Sequence, residues 1–142
     1  MVKYFDELKR AMEYLGEQED TVFLGQAVAY KGTAMSNTLK DIDPEKLIEM
    51  PVCEEMQMGI TNGLAVTGKV IIRTGIGSER PLNPQAQHVG DFTEGFRLML
   101  KNTEIIRLKE PEDIFPAYQK AYNRTDGKNT ILVEYGDFYN EK

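Results

Sequence analysis

The stretch LIEMPVCEEMQMGITNGLAVTGKVIIRT, residues 47–74, decides the fold. It reads as strand, helix, strand. Leu47-Ile48-Glu49-Met50-Pro51-Val52 is a short apolar run that ends near Pro51, because proline has no N–H to give to a ladder. Residues 54–67 then form a helix, with Met56, Gly59, Ile60, Gly63, Leu64 and Val66 available to pack. Each glycine costs about 1 kcal/mol of helix propensity, which is tolerable where a helix must approach another backbone closely. Lys69-Val70-Ile71-Ile72-Arg73-Thr74 is the next strand. Two strands joined through a helix run parallel, by a right-handed crossover.

The same alternation extends in both directions. Residues 3–15 carry Tyr4, Phe5, Leu8, Ala11, Met12 and Leu15 at helical spacing among charged positions, with Gly16 as the stop. A polar turn at 17–20 leads into Thr21-Val22-Phe23-Leu24-Gly25, short and apolar like a buried parallel strand. Residues 26–42 admit a short helix around 34–40, and Asp43-Pro44-Glu45 reads as a turn. Downstream come a Gly- and Pro-rich loop at 75–86, a helix at 91–101 and a strand at 104–108. A helix opened by Glu110-Pro111-Glu112-Asp113 runs to about 122, where Pro111 suits the first turn and the acids suit the helix dipole. A strand at 129–135 follows, and the polar tail 137–142 is expected to fray. There is no internal repeat and no linker. The pattern predicts a single α/β domain over residues 1–142, three layers deep, with a mostly parallel sheet of about five strands.

Composition narrows the function. The chain has 142 residues, with 17 Lys+Arg against 23 Asp+Glu, a net charge of −6. That balance argues against binding a phosphate backbone. Its apolar runs fall far short of the ~20 residues that span a bilayer. No apolar stretch follows Lys3, so no secretory signal is expected, and the reading is cytoplasmic. One cysteine, Cys53, excludes an internal disulfide framework, and one histidine, His88, excludes a two-His metal motif. No metal site is expected in this chain.

Several residues could carry chemistry. Gly75-Ile76-Gly77-Ser78-Glu79-Arg80 follows a strand, but Arg80 stands where a dinucleotide fingerprint has its third glycine, and Pro81 and Pro84 block an immediate helix. It reads as a loop. Cys53 has no adjacent histidine and reads as a buried structural thiol. Asn123-Arg124-Thr125 matches a glycosylation pattern without an export signal. Glu54-Glu55 sits where a strand ends and a helix begins, the edge at which open α/β sheets bind ligands. With Met50, Val52, Met56 and Met58 around it, a carboxyl there could be held protonated near neutrality. The same pair also reads as two acids attracted to a helix N-terminus. His88, between a loop and a helix, reads equally as a proton shuttle or a surface residue.

At these residues the chain resembles a known family. Phe23-Leu24-Gly25-Gln26-Ala27-Val28 followed by Gly32 resembles the first strand and loop of the pyrimidine-binding domain of transketolase-like enzymes. The likeness is greatest to the beta subunit of 2-oxo-acid dehydrogenases of the pyruvate dehydrogenase type. Pro51-Val52-Cys53-Glu54 looks like that family's Pro-Ile-Ser-Glu; Gly59, Gly63 and Gly68 fall at its helix glycines; Ala86-Gln87-His88 looks like its Ala-Gln-His. The resemblance covers nearly the whole chain.

It implies a thiamine diphosphate cofactor shared with a partner chain. Glu54 would hydrogen-bond N1′ of the aminopyrimidine and favour the imino tautomer that activates the thiazolium. His88 would face the reacting end of the cofactor, and Gln26 and Met56 would line the pyrimidine. The implied partner is an alpha-type diphosphate-binding subunit, which would hold the Mg²⁺. The implied substrate is a small 2-oxo acid or sugar, and the assembly a homo- or hetero-oligomer.

Three departures stand out. Gln26 occupies a position where the family usually has an acid, and neither the Gly-Asp-Gly…Asn motif of the diphosphate domain nor the family's C-terminal domain is present. Between Gly68 and Val70 the family has a further strand and helix, on the order of 30 residues or more. Losing that strand predicts a shortened, closed five-stranded sheet in the order second, first, third, fifth, fourth strand, with 70–73 beside 22–24. Two other readings remain open: a catalytically inactive deleted relative that folds and dimerises, and a flavodoxin-like small-ligand domain.

Overall fold

The computed structural model describes residues 2–30, 32–66, 68–78 and 89–140, with Glu54 described in its backbone alone. Its elements alternate as the sequence predicts. They are α1 (Tyr4–Gly16), β1 (Phe23–Gly25), α2 (Ala34–Asn37), β2 (Leu47–Glu49), α3 (Glu54–Ala65), β3 (Ile71–Ile76), α4 (Thr93–Met99), β4 (Thr103–Arg107), α5 (Pro111–Tyr122) and β5 (Asn129–Tyr135). The protein is a mixed α/β fold, and every strand pairing is parallel.

The strands do not close into one sheet. β1 pairs with β2, and β5 lies between β3 and β4, giving a two-stranded and a three-stranded sheet. Within each sheet the neighbours follow the expected order, but β3 pairs with β5 and makes no ladder with β1. Contacts with α1 and β3 hold the β1–β2 pair where it is. Lys46, just before β2, donates from Nζ to the carbonyls of Gly16 (2.8 Å) and Gln18 at the end of α1. Gly16 lies in the last turn of α1 rather than beyond it, and a Cβ there would come within 2.6 Å of Ile42 Cδ1. Met35 of α2 sits 3.6 Å from the place of a Cβ on Gly75 of β3. Sliding β1 against β3 would have to break these contacts. Three-residue strands offer few ladder bonds in return.

The core lies where α1 and α5 cover the three-stranded sheet. Tyr4, Leu8, Met12, Ile114, Tyr118 and Leu132 are fully buried in one cluster. Tyr4 ties three elements: its hydroxyl donates to Leu108 O (2.7 Å) and accepts from Tyr135 N (3.0 Å). Tyr14 meets Phe115 and Tyr122 edge-on, and the Arg10 guanidinium lies over Phe115 at 3.9 Å.

A buried ion pair sits in this core. The Glu134 carboxylate on β5 is fully buried and accepts Arg73 Nε (2.7 Å) and Nη2 (3.0 Å). It also accepts the hydroxyls of Tyr118 (2.5 Å) and Tyr139 (2.6 Å). Arg73 Nη1 reaches Thr38 Oγ1 (3.1 Å), whose own hydroxyl donates to Met35 O (2.6 Å). Burial opposes the charge on Glu134, but the Arg73 guanidinium outweighs it and holds the carboxyl below its ordinary range. Tyr139 is 8 % exposed, so this part of the tail is anchored rather than frayed.

Candidate functional site

β1 and β2 run in register, Gly25 beside Glu49, and Met50 N donates to Gly25 O (2.9 Å). Both strands therefore end at the same carboxyl-terminal edge. Gln26 leaves β1 there and is exposed. Past β2 the chain turns through Met50–Cys53 into α3, which opens at Glu54 with Cys53 as its N-cap. The fold thus brings Gln26 and the start of α3 to one edge of one strand pair. The Glu54 side chain and all of His88 lie outside what the structure describes, as do Glu79, Arg80 and Ala86-Gln87 of the motifs read above. Met56, in the first turn of α3, is 49 % exposed.

α3 differs from the sequence reading in the face it turns inward. Its less exposed positions are Gln57, Thr61 and Ala65, spaced one turn apart. Met56, Met58, Ile60 and Leu64 are exposed, and Val66 just beyond the helix is 84 % exposed. A Cβ on Gly59 or Gly63 would meet nothing within 4 Å. The residues expected to pack inside face outward; of the methionines expected around Glu54, Met56 and Met58 are exposed and Met50 is buried. Cys53 is partly exposed rather than buried, with its thiol 3.8 Å from Glu55 Oε2.

Glu49 escaped the sequence reading. Its carboxylate crosses from β2 to the turn after β1 and accepts the backbone N–H groups of Ala27 (2.6 Å) and Ala29 (2.9 Å). Ala27 has φ 57°, the one non-glycine residue with positive φ among those described. An acid as the last residue of a strand resembles any polar edge residue. Its role appears only once the β1–β2 register is known.

A cleft lies at the carboxyl-terminal end of the other sheet. It has a volume of about 240 Å³ and is lined by Thr74, Ile76, Val133, Phe92, Thr93 and Phe96 among others. Nearby, Asp91 accepts Thr93 N (3.0 Å) and Thr93 Oγ1, and pairs with Arg107 Nη2 (2.8 Å). The Thr93 hydrogen bonds, then the Arg107 charge, hold Asp91 below its ordinary range. Gly77 N donates to Val89 O (3.2 Å), so the chain returns to the end of β3. Gln26 and Met56 do not line this cleft.

Among the described residues, no group of three or more His, Cys, Asp or Glu side chains is arranged to hold a metal ion. No described helix is long and apolar enough to cross a membrane. The chain matches no model of a known protein family, no curated protein and no solved structure.

Proposed function

We propose that the chain is a beta-type pyrimidine-binding module of a thiamine diphosphate-dependent 2-oxo-acid dehydrogenase or transketolase-like enzyme. It works with an alpha-type chain that binds the diphosphate and its Mg²⁺. The observation that carries this reading is the shared edge of β1 and β2, which gathers Gln26 and the Glu54 end of α3. The donor set there suits half of the cofactor. Residues 25–30 and 49–58 contain two amides, carboxyls and methionines but no basic side chain, which fits a neutral heteroaromatic ring and not a diphosphate. The family likeness of these segments supports the same assignment. The outward apolar face of α3 supports a protein partner, since contiguous exposed apolar surface marks interaction sites. In this reading the domain is a shortened three-layer α/β/α unit.

When bound, the cofactor supplies the electron sink. This chain's Glu54 holds the proton at the pyrimidine nitrogen, Gln26 and Met56 line the ring, and His88 attends the substrate. In a complex with an alpha-type chain, Glu54→Gln should lower turnover by about a hundredfold or more while circular dichroism stays unchanged. Unchanged turnover refutes the assignment.

A second reading is a catalytically inactive, deleted relative that folds and dimerises. The observation favouring it is the absence of a ladder between β1 and β3. Titration of thiamine diphosphate with Mg²⁺, with and without an alpha-type chain, separates the two. The enzyme module binds in the complex, whereas the inactive relative binds in neither.

A further inference from the structure

We propose that Glu49 is a positioning residue, which locks the turn after β1 so that Gln26 is presented at the ligand edge. The proposal rests on the pyrimidine-binding reading of that edge.

The turn is held at a cost. A left-handed conformation brings a Cβ against the neighbouring carbonyl, and alanine has no side-chain polar group to compensate. Such strain persists only where the surroundings impose it, and it concentrates at sites of function. Here core packing imposes little of it. Gln26, Ala29 and Tyr30 are exposed, and only Val28 packs against the core. Glu49 imposes it instead. One carboxylate oxygen accepts Ala27 N–H and the other accepts Ala29 N–H, so both oxygens are bound to the strained turn. Charge-assisted bonds to backbone N–H groups are the strong kind.

The carboxylate's geometry is also specific. Glu49 is the register partner of Gly25, the residue just before Gln26. The clamp therefore spans the shortest path between the strand that delivers Gln26 and the strand that leads to Glu54. A Glu49→Gln amide keeps the length but turns one acceptor into a donor facing another N–H. A glycine at 27 would hold φ 57° without a clamp.

The test uses the full chain and three variants: Glu49→Gln, Glu49→Gln with Ala27→Gly, and Glu54→Gln as a control for the edge itself. Amide exchange at Ala27 and Ala29 is followed by NMR, and thiamine diphosphate with Mg²⁺ is titrated calorimetrically into the complex with an alpha-type chain. Glu49→Gln should speed exchange at both amides and weaken binding, each by about tenfold. Adding Ala27→Gly should restore binding while the two amides stay fast, a rescue that a general loss of stability would not show. Unchanged exchange in Glu49→Gln, or weakened binding that glycine does not restore, overturns the positioning role and leaves the edge assignment standing. Wild-type binding indifferent to Glu54→Gln, or no binding at all, overturns the edge assignment and the positioning role with it.

Discussion

Replacing Glu134 by glutamine should be among the most damaging isosteric changes available to this fold. The carboxylate takes four donors, two on each oxygen: Arg73 Nε with Tyr118 on one, Arg73 Nη2 with Tyr139 on the other. A glutamine oxygen can serve one pair. Its NH₂ group then faces an Arg73 N–H, donor against donor, and a tyrosine hydroxyl that must turn from donor to acceptor, and Arg73 is left charged with only 14 % of its side chain exposed. Breaking a buried ion pair from one side costs about 3–5 kcal/mol. Domains of this kind have about 5–15 kcal/mol in all, so roughly a fifth or more of the stability is at stake. Urea unfolding followed by far-UV circular dichroism, read at constant m, measures the loss. A double-mutant cycle is built from Arg73→Met, Glu134→Leu and Arg73→Met/Glu134→Leu. The double variant removes both charges but strands the Tyr118 and Tyr139 hydroxyls, at about 1–3 kcal/mol each. It should therefore be less stable than wild type, yet well above the sum of the single losses, with a coupling of about 2 kcal/mol or more. Single losses under about 1 kcal/mol, or losses additive within about 0.5 kcal/mol, would refute the reasoning.

The remaining expectations are brief. Glu134 is held below its ordinary pKa of 4.5, so its stabilisation is complete above that value and is lost as the pH falls through the lowered native one. An acid series of urea midpoints should show this fall in the wild type and a flatter profile in Glu134→Gln; parallel profiles would contradict it. Gly59→Ala and Gly63→Ala should each stabilise the isolated chain by about 1 kcal/mol, because the added methyl meets open space. Lowered urea midpoints would mean that the monomer uses those glycines.

Much of this was legible where one residue pattern had one physical solution. In α1, Tyr4, Leu8, Ala11, Met12 and Leu15 can share a face only in a helix, and they are the residues buried there. In α3, Met56, Ile60 and Leu64 line one stripe with Gly59 and Gly63 beside it, and spacing marks that stripe as apolar without saying whether the domain or another surface covers it. Gln57, Thr61 and Ala65 turned out to face inward. Sheet closure was illegible for a related reason. Strand order follows from connection rules, but whether β1 reaches β3 depends on Lys46, Ile42 and Met35, which no strand pattern contains. The Arg73–Glu134 pair left a signal that went unread. Each is a charge inside an apolar strand, and with Arg73 opposite Leu132, Glu134 is its diagonal neighbour on the same face. The edge carrying Gln26 and Glu54 was read from likeness and strand endings, whereas Glu49 required the β1–β2 register.

Stability and the candidate chemistry thus occupy different parts of the molecule. The buried cluster draws on α1, α5, β5 and the segment 34–42, and no described side chain of α3 is buried. A 12-residue helix with two interior glycines and no buried side chain among those described is marginal by itself, since short helices in water gain too little per residue to offset nucleation. The element that begins at Glu54 therefore belongs to the least anchored part of the fold. Arg73 reaching Thr38 and Lys46 reaching Gly16 fasten the β1–β2 pair to the core, and Glu49 fastens the Gln26 turn to that pair. The chain of attachment runs from core to edge and stops one element short. A surface that covered the apolar side of α3 would supply the burial this helix lacks.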